Sequence, residues 1–252
     1  MTTTMPGRRL DVPTRDGVMD VHLFVPAGAG PWPVVVLYMD AFGVRPQLAE
    51  MAARLASSGY AVALPNLYYR SGSFAPFNRQ AVTVEGPERD RFKGMIQSID
   101  VARVMSDTGA LIERLGHERV AGTDRIGVVG YCMRGGYALA AAGTFPDRVV
   151  VAASFHGGSL ATDKPDSPHT FASRTRARVY VGAAEIDATF PPEQQERLRR
   201  AFDDAGTDYR LEVYPGARHG FAVTGHLVYD RDASERHWTT LVDLLDEGLH
   251  HV

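Results

Sequence analysis

The sequence predicts an α/β fold with a doubly wound, mainly parallel sheet and helices on both of its faces. Three observations predict it. Short apolar runs alternate with segments of helical periodicity along most of the chain, the central runs are continuously apolar, and turn residues separate the two kinds of segment. Continuous apolar runs are typical of strands that helices cover on both faces. Such alternation places the functional loops at the carboxyl ends of the strands.

The predicted elements follow from the spacing of apolar residues. Apolar and β-branched runs predict strands at residues 18–26, 34–39, 61–64, 126–129, 149–155, 179–181 and 211–214. Helical spacing predicts helices at residues 48–55, 192–205 and 233–249, and one long helical region from about residue 87 to residue 115. Residues 66–85 fit neither pattern and are rich in Tyr, Ser, Gly and Pro, so we expect a functional loop or small elements that wall a pocket.

Length and charge limit the class of protein. The 252 residues fit one α/β domain spanning residues 1–252, with residues 1–9 predicted as a flexible N-terminal tail. The balance of 27 Lys plus Arg against 30 Asp plus Glu lacks the basic surplus that nucleic-acid binding needs, so we expect no nucleic-acid partner. No window reaches the ~18 consecutive apolar residues of a membrane span, so we expect no membrane partner. The sequence leaves the oligomeric state open.

The cysteine content and the first residues predict the compartment. The chain has one cysteine, which cannot form an internal disulfide, and its N-terminal residues lack the apolar core of a signal peptide. Both observations favour a reducing, cytoplasmic location.

The single cysteine, Cys132, is the strongest candidate for a catalytic residue. It follows a strand-like run and precedes a helix-like segment, in the sequence GYCMRGGYAL. A strand that turns through G-x-nucleophile directly into a helix mounts the nucleophile on a tight elbow above the positive end of that helix. A thiol in this place is suited to covalent catalysis. The turn does not match a phosphate-binding loop, because Gly136 and Tyr137 stand where Lys and then Ser or Thr are required.

An elbow of this kind needs an acid and then a histidine later in the chain, each in a loop after a strand. Asp187 and His219 follow predicted strands in that order. Glu185 remains an alternative acid. His156 and His169 remain alternative histidines, although neither follows the acid in chain order.

The chemistry of a thiol nucleophile assigns a role to each candidate. His219 is expected to accept the thiol proton and return it to the leaving group, and Asp187 is expected to fix the imidazole tautomer. An oxyanion formed by attack on a carbonyl needs two backbone donors. We expect them to be the N–H groups of Met133, just after the nucleophile, and of Ala41, in the loop after the first buried strand.

Four sequence motifs together resemble the dienelactone hydrolase family of α/β hydrolases. They are Gly-Tyr-Cys-Met with the following glycine pair, the stretch Asp40-Ala-Phe-Gly, Asp187 ahead of Phe-Pro, and His219-Gly-Phe-Ala. The match extends from about residue 10 to the C-terminal helix. The resemblance implies an α/β-hydrolase fold and hydrolysis of a small activated ester or enol lactone, such as 4-carboxymethylenebut-2-en-4-olide. It also implies a Cys-His-Asp triad, an acyl-cysteine intermediate and no metal or organic cofactor.

The resemblance implies further site residues. A carboxylate at the position of Asp40, usually glutamate in the family, contacts the nucleophile and helps to control its ionisation. A family arginine that binds the substrate carboxylate corresponds to Arg89 or Arg91. Tyr131 and His156 are expected to line the substrate pocket.

The chain departs from the family pattern at two positions. Arg134 replaces a glycine two residues after the nucleophile, and is expected either to lean into solvent or to alter the pocket. Val223 stands where lactone-cleaving members have an arginine. Two alternatives therefore stay open, a broad esterase or thioesterase on the same scaffold and a non-catalytic binding protein.

Overall fold

The computed structural model describes residues 7–250, whose strands form one eight-stranded sheet. The sheet order is β1-β2-β4-β3-β5-β6-β7-β8. β1 and β2 are antiparallel to their neighbours, and β3 to β8 are mutually parallel. The strands are β1 (Arg8–Thr14), β2 (Gly17–Phe24), β3 (Trp32–Tyr38), β4 (Ala61–Pro65), β5 (Ala121–Tyr131), β6 (Val149–Phe155), β7 (Arg178–Ile186) and β8 (Tyr209–Arg218).

Helices cover both faces of this sheet. They are α1 (Pro46–Ser57), α2 (Pro87–Gln97), α3 (Val101–Gly116), α4 (Gly135–Thr144), α5 (Pro192–Ala205) and α6 (Arg231–Leu249). Gly127 of β5 faces α6, since a Cβ there would lie 2.6 Å from Leu245. Gly130 faces the start of α4, where a Cβ would lie 2.3 Å from the carbonyl oxygen of Arg134. An odd spacing in a strand points to opposite faces, so α4 and α6 sandwich β5. The predicted fold class is confirmed.

The structure corrects two details of the prediction and defines the small elements expected in a third segment. The predicted tail is wrong at its end, because β1 begins at Arg8 and buries Leu10 and Val12 in strand alternation; residues 1–6 lie outside the described part of the chain. The long helical region is two helices, because Asp100 caps α3 by accepting the Arg103 N–H at 2.8 Å. Residues 66–85 contain two short 3₁₀ helices, Tyr69–Ser71 and Ala81–Thr83.

The sheet brings the predicted site residues to one edge. Cys132 directly follows β5, Asp187 directly follows β7 and His219 directly follows β8. Asp40 lies two residues beyond β3. Because these strands are parallel, their carboxyl ends meet at the same edge of the sheet. Within residues 7–250, no helix combines the length and apolar character needed to cross a membrane.

Candidate active site

The turn between β5 and α4 has the geometry of a nucleophile elbow. Cys132 has a φ of 58°, a left-handed conformation that is uncommon for a residue with a Cβ. The tight turn requires Gly130, since any Cβ there would collide with the backbone of Arg134. α4 begins three residues after the cysteine, so its unpaired N–H groups and positive end lie at the thiol's end of the helix.

Cys132, His219 and Asp187 form one hydrogen-bonded line. His219 Nε2 lies 3.1 Å from Cys132 Sγ, and His219 Nδ1 lies 2.6 Å from Asp187 Oδ2. The other oxygen of Asp187 accepts the N–H and the hydroxyl of Thr189 at 2.8 and 2.6 Å. Glu185 instead accepts the N–H of Gly216. Asp187 is therefore the acid in contact with the imidazole, and Glu185 faces another loop.

The surroundings of His219 favour its charged form. Burial alone would lower its pKa, but the negative charge of Cys132 and the hydrogen bond to Asp187 outweigh burial and raise the pKa to about 10. Burial likewise opposes the charge of Asp187, yet the bonds from His219 and Thr189 lower the pKa of this carboxyl. The site thus favours an imidazolium that lies between the Asp187 carboxylate and Cys132 Sγ.

The turn after β3 offers one unused backbone donor. The N–H of Gly43 donates to the Asp40 carbonyl at 3.2 Å, and the N–H of Phe42 donates to the Asp40 carboxylate at 2.9 Å. The N–H of Ala41 has no hydrogen-bond partner among residues 7–250. Of these three consecutive N–H groups, the one predicted for an oxyanion hole is therefore free to bind a ligand.

Arg134 turns inward, so of the two expected orientations the structure shows the one toward a cavity and not the one toward solvent. The residue is 2 % exposed and donates to the hydroxyls of Tyr137 and Tyr68 at 2.7 and 3.1 Å. The close approach of α4 to β6 occurs one residue later, at Gly135, where a Cβ would lie 2.2 Å from Ser154 Oγ. This explains how a large side chain fits at position 134.

His156 does not line a substrate pocket, contrary to the expectation. It is 1 % exposed, and its Nδ1 accepts the backbone N–H of Cys132 at 3.1 Å. Since a backbone N–H can only donate, Nδ1 is the unprotonated nitrogen. Burial first, and then the neighbouring His219 charge, hold the pKa of His156 well below its usual range, which keeps it a neutral acceptor. His156 thus satisfies the amide of the strained elbow residue.

We expect His156→Leu to destabilise the fold by about 1–3 kcal/mol, because it orphans the Cys132 N–H, and to lower kcat/KM. His156→Asn should recover most of both losses, since Asn Oδ1 occupies the position of His Nδ1. His156→Gln is the matched control, because its oxygen reaches the position of Nε2 instead. Urea unfolding and ester hydrolysis measure the two effects. Equal behaviour of the Asn and Gln variants would contradict this role.

Tyr131 is also outside the substrate pocket. Its side chain is fully buried, and its hydroxyl donates to His237 Nε2 at 2.8 Å. His237 Nδ1 donates in turn to the carbonyl of Ser234 at 2.9 Å. Burial lowers the pKa of His237 to about 3, so the ring stays neutral and can accept. Tyr131 therefore ties the end of β5 to α6 and was wrongly expected to bind substrate.

A cavity of about 400 Å³ adjoins Met133, the residue after Cys132. Met133 and Gly158 line it, and a Cβ at Gly158 would lie 3.5 Å from His219 Cε1. Its lining combines apolar and polar side chains; Arg134 is its buried charged residue, and Asp100, Lys164 and Asp166 are exposed. A larger cavity of about 670 Å³ is lined by none of Cys132, Met133, Asp187 and His219. Of these two cavities, the smaller one lies beside the elbow.

Comparisons with known proteins decide the family. A sequence profile of the dienelactone hydrolase family matches residues 19–249. The chain belongs to the dienelactone hydrolase family. As a member of that family it is an ester hydrolase that acts on a small molecule.

Individual relatives agree with the family assignment. A protein of Synechocystis sp. provisionally named carboxymethylenebutenolidase is 24 % identical, over 99 % of this chain and 100 % of that protein. A protein of Methylorubrum extorquens with the same provisional name is 27 % identical, over 92 % of this chain and 78 % of that protein. A crystal structure described as a dienelactone hydrolase from Klebsiella pneumoniae superposes with a TM-score of 0.84 at 22 % identity, covering 97 % of this chain and 100 % of the other.

The predicted contact between the family carboxylate and the nucleophile is absent within residues 7–250. Asp40 is 1 % exposed and accepts two hydrogen bonds from Arg45, at 2.6 and 2.5 Å, while His226 Nε2 lies 3.3 Å away. Burial opposes the charge of Asp40, but His226 and Arg45 hold the pKa of this carboxyl far below its usual range. Its short side chain is therefore committed to bracing the turn rather than to the thiol.

We expect Asp40→Asn to lower the unfolding free energy by about 2–3 kcal/mol at pH 7, because it leaves Arg45 without its counterion. The pKa of Asp40 is lower in the folded than in the unfolded state, so its charge stabilises the folded protein at pH values above the unfolded-state pKa of ~3.9. This stabilisation fades as pH falls below that pKa. The stability gap between Asp40→Asn and wild type should therefore shrink in acid. Urea unfolding at pH 7 and pH 3 measures it.

The alkylation rate of Cys132 by iodoacetamide should stay within about twofold of wild type in Asp40→Asn. Asp107→Asn is the matched control, since Asp107 is equally buried and accepts bidentate bonds from Arg70. Both variants should lose stability and keep thiol reactivity. A tenfold change of alkylation in Asp40→Asn alone would restore the thiol-modulating role.

Neither predicted arginine reaches the cavity beside the elbow. Arg91 donates to Glu88 and to the carbonyl of Ala75, and Arg89 lines neither this cavity nor the larger one. Within α2, the cavity is lined by Ile96 and Gln97 at the end of the helix, and Ile96 lies about 8 Å farther along the helix than Arg91. The structure gives no contact that supports the assignment of a substrate carboxylate to either arginine, and the assignment stays a prediction. Val223 is fully buried and adds no polar group.

Three residues that support the site were not predicted from the sequence. Arg45 and His226 hold Asp40, and Tyr68 holds the turn after β3 through its hydroxyl. His226 is 186 residues from its partner, and no local pattern signals such a contact. Tyr68 and Tyr69 are adjacent in the sequence, but the sequence does not indicate where their side chains point.

Proposed function

We propose that this ester hydrolase works through a covalent acyl-cysteine formed on Cys132, with His219 as acid and base and Asp187 as its orienting carboxylate. The observation that carries the proposal is the unbroken line from Sγ to imidazole to carboxylate, with distances of 3.1 and 2.6 Å. The proposed substrate is a small activated ester or an enol lactone, a size that suits a cavity of about 400 Å³.

In the acylation step, the Cys132 thiolate attacks the carbonyl carbon and the C–S bond forms. The carbonyl electron pair moves to oxygen, where the N–H groups of Ala41 and Met133 donate to it. Collapse of this intermediate breaks the C–O bond, and His219 gives its proton to the departing oxygen. With a lactone, the departing oxygen remains attached to the acyl chain, so the ring opens without losing a fragment.

In the deacylation step, neutral His219 removes a proton from water, which attacks the thioester carbonyl. The second tetrahedral intermediate expels the thiolate, and the imidazolium that forms is paired again with Asp187 and Cys132. The carboxylic acid leaves, and the starting charge state returns. No electron is gained or lost in the cycle.

Acid quenching during turnover tests the proposal. The protein is mixed with p-nitrophenyl acetate or with a dienelactone, quenched, digested and analysed by mass spectrometry. We expect the peptide containing Cys132 to gain the acyl group of the ester, or the whole mass of the lactone because ring opening retains every atom. An adduct on another residue, or turnover with Cys132 never modified, would refute the acyl-cysteine.

A broader esterase or thioesterase activity has one observation in its favour. Val223 supplies no guanidinium, and that of Arg134 is engaged by two tyrosine hydroxyls. Comparing a dienelactone with its methyl ester separates the two candidates. A site that recognises the carboxylate should have a kcat/KM for the free carboxylic acid that is more than about a hundredfold higher than that for the methyl ester. A broad esterase should have kcat/KM values for the two substrates within about tenfold of each other.

We also propose a cytoplasmic location, because the activity depends on one thiol that must stay reduced. Fractionation of the native host, with activity and immunodetection in each compartment, tests it.

A further inference from the structure

Arg134 is a buried cation whose hydrogen-bond partners are neutral. It lies two residues after Cys132 and one after Met133, and it is 2 % exposed. Within residues 7–250, its guanidinium forms no ion pair with a carboxylate and donates to the hydroxyls of Tyr137 and Tyr68. Burying a guanidinium on neutral acceptors is costly. The arrangement calls for a role that this charge performs inside the protein.

Tyr68 connects Arg134 to the turn after β3. Its side chain is fully buried, and its oxygen accepts from Arg134 Nη2 at 3.1 Å. The same hydroxyl donates to the carbonyl of Ala41 at 2.8 Å. A hydroxyl that accepts from a cation becomes a stronger donor, so the guanidinium strengthens the bond to Ala41.

The peptide unit between Ala41 and Phe42 is thereby held at both ends. Tyr68 holds its carbonyl, and the carboxylate of Asp40 holds its N–H at 2.9 Å. The preceding peptide is held at its carbonyl by the N–H of Gly43. The N–H of Ala41, the unused donor of the turn, therefore has its direction set by three fixed groups.

We propose that Tyr68 and Arg134 are positioning residues for the oxyanion hole. The hydrogen bonds from Arg134 to Tyr68 and from Tyr68 to Ala41 join the elbow, which carries Met133, to the turn, which carries Ala41. They thereby fix the two proposed oxyanion donors relative to each other. This inference rests on the proposed function, because it takes Ala41 and Met133 as the donors. Alignment matters only when the carbonyl oxygen becomes negative, so the link should act on kcat more than on KM.

The decisive variant is Tyr68→Phe, which removes one oxygen and keeps the ring. We expect kcat for p-nitrophenyl acetate to fall about 10–100-fold and KM to change by less than about twofold. Alkylation of Cys132 by iodoacetamide should keep its wild-type rate. That reaction displaces iodide at a saturated carbon and forms no oxyanion, so it reports thiol reactivity alone.

Tyr38→Phe is the matched control for the loss of a buried tyrosine hydroxyl. Tyr38 is fully buried on β3, and its hydroxyl bonds Thr108 Oγ1 at 2.8 Å. Its removal should affect stability and leave kcat near the wild-type value. Arg134→Met removes the charge and keeps an apolar chain of similar length. The double variant of Tyr68→Phe and Arg134→Met should lose little more kcat than the worse single variant, because both substitutions interrupt the same series of hydrogen bonds.

Three outcomes would overturn the inference. They are a wild-type kcat in Tyr68→Phe, a loss of kcat matched by Tyr38→Phe, and a parallel loss of the alkylation rate, which would place the effect on the thiol. If Arg134→Met does not fold, Tyr68→Phe alone decides. Failure of the proposed function looks different, because wild-type protein would then form no adduct on Cys132, and the inference would fall with it.

Discussion

Replacing Cys132 with alanine is expected to lower kcat/KM for an activated ester by about 10⁴-fold or more. Removal of a catalytic nucleophile leaves only the small acceleration that oxyanion donors and substrate binding supply. The variant should fold normally, because the side chain is small and half-buried. Stopped-flow hydrolysis of p-nitrophenyl acetate, with thermal unfolding as a folding check, measures both properties.

The charge of His219 provides a second readout in the same variant. The thiolate is the largest of the factors that raise the pKa of His219, so Cys132→Ala should bring that pKa down from about 10. Titration of the His219 Cε1 proton by NMR measures the change. Hydrolysis that survives in Cys132→Ala at the wild-type rate would show that another group performs the chemistry.

Asp187→Asn is expected to lower kcat about 10³- to 10⁴-fold while KM changes little. The amide can present its N–H₂ to Nδ1 and so favour the wrong imidazole tautomer, and it lacks the charge that stabilises the imidazolium. Glu185→Gln is the matched control two residues away, since Glu185 accepts from Gly216 and does not touch the imidazole. It should retain wild-type kcat. Equal losses in the two variants would contradict the assignment of the acid.

The pH dependence gives Asp187→Asn a further signature. Acylation needs protonated His219, so wild-type activity should fall as pH rises through about 10. Loss of the carboxylate lowers the pKa of His219 and moves this alkaline limb to lower pH. Because the pKa of His219 is raised in the folded state, its protonation stabilises the folded protein fully at pH values below the ordinary histidine pKa of ~6.5. This stabilisation is lost as pH rises toward the pKa of His219 in the folded protein. An alkaline limb at the same pH in Asp187→Asn and in the wild type would contradict the pairing of Asp187 with His219.

The location of the site could be predicted from the sequence, because it depends on strand order. Cys132, Asp187 and His219 each follow an apolar run, and parallel strands deliver such positions to one edge. The family match over residues 19–249 supports the predicted fold class. Strand limits were less accurate, since β5 extends five residues before its apolar part begins at Ile126.

The partners of the polar side chains could not be predicted. Asp40 binds Arg45 and His226 because its short side chain bends into its own turn, and His156 points at the Cys132 amide because of its own left-handed backbone, with a φ of 39°. Arg134 is buried because the tight helix contact falls at the next residue. Each outcome depends on side-chain direction in an irregular segment, which periodicity does not encode.

The contact of His226 with Asp40 couples two segments that are far apart in the chain. His226 lies in the loop that carries His219, and Asp40 begins the turn that carries the N–H of Ala41. If one segment moves outward to admit a ligand, the contact between His226 and Asp40 must break or the other segment must move with it. Local opening of the loop that carries His219 is therefore coupled to local opening of the turn that carries Ala41.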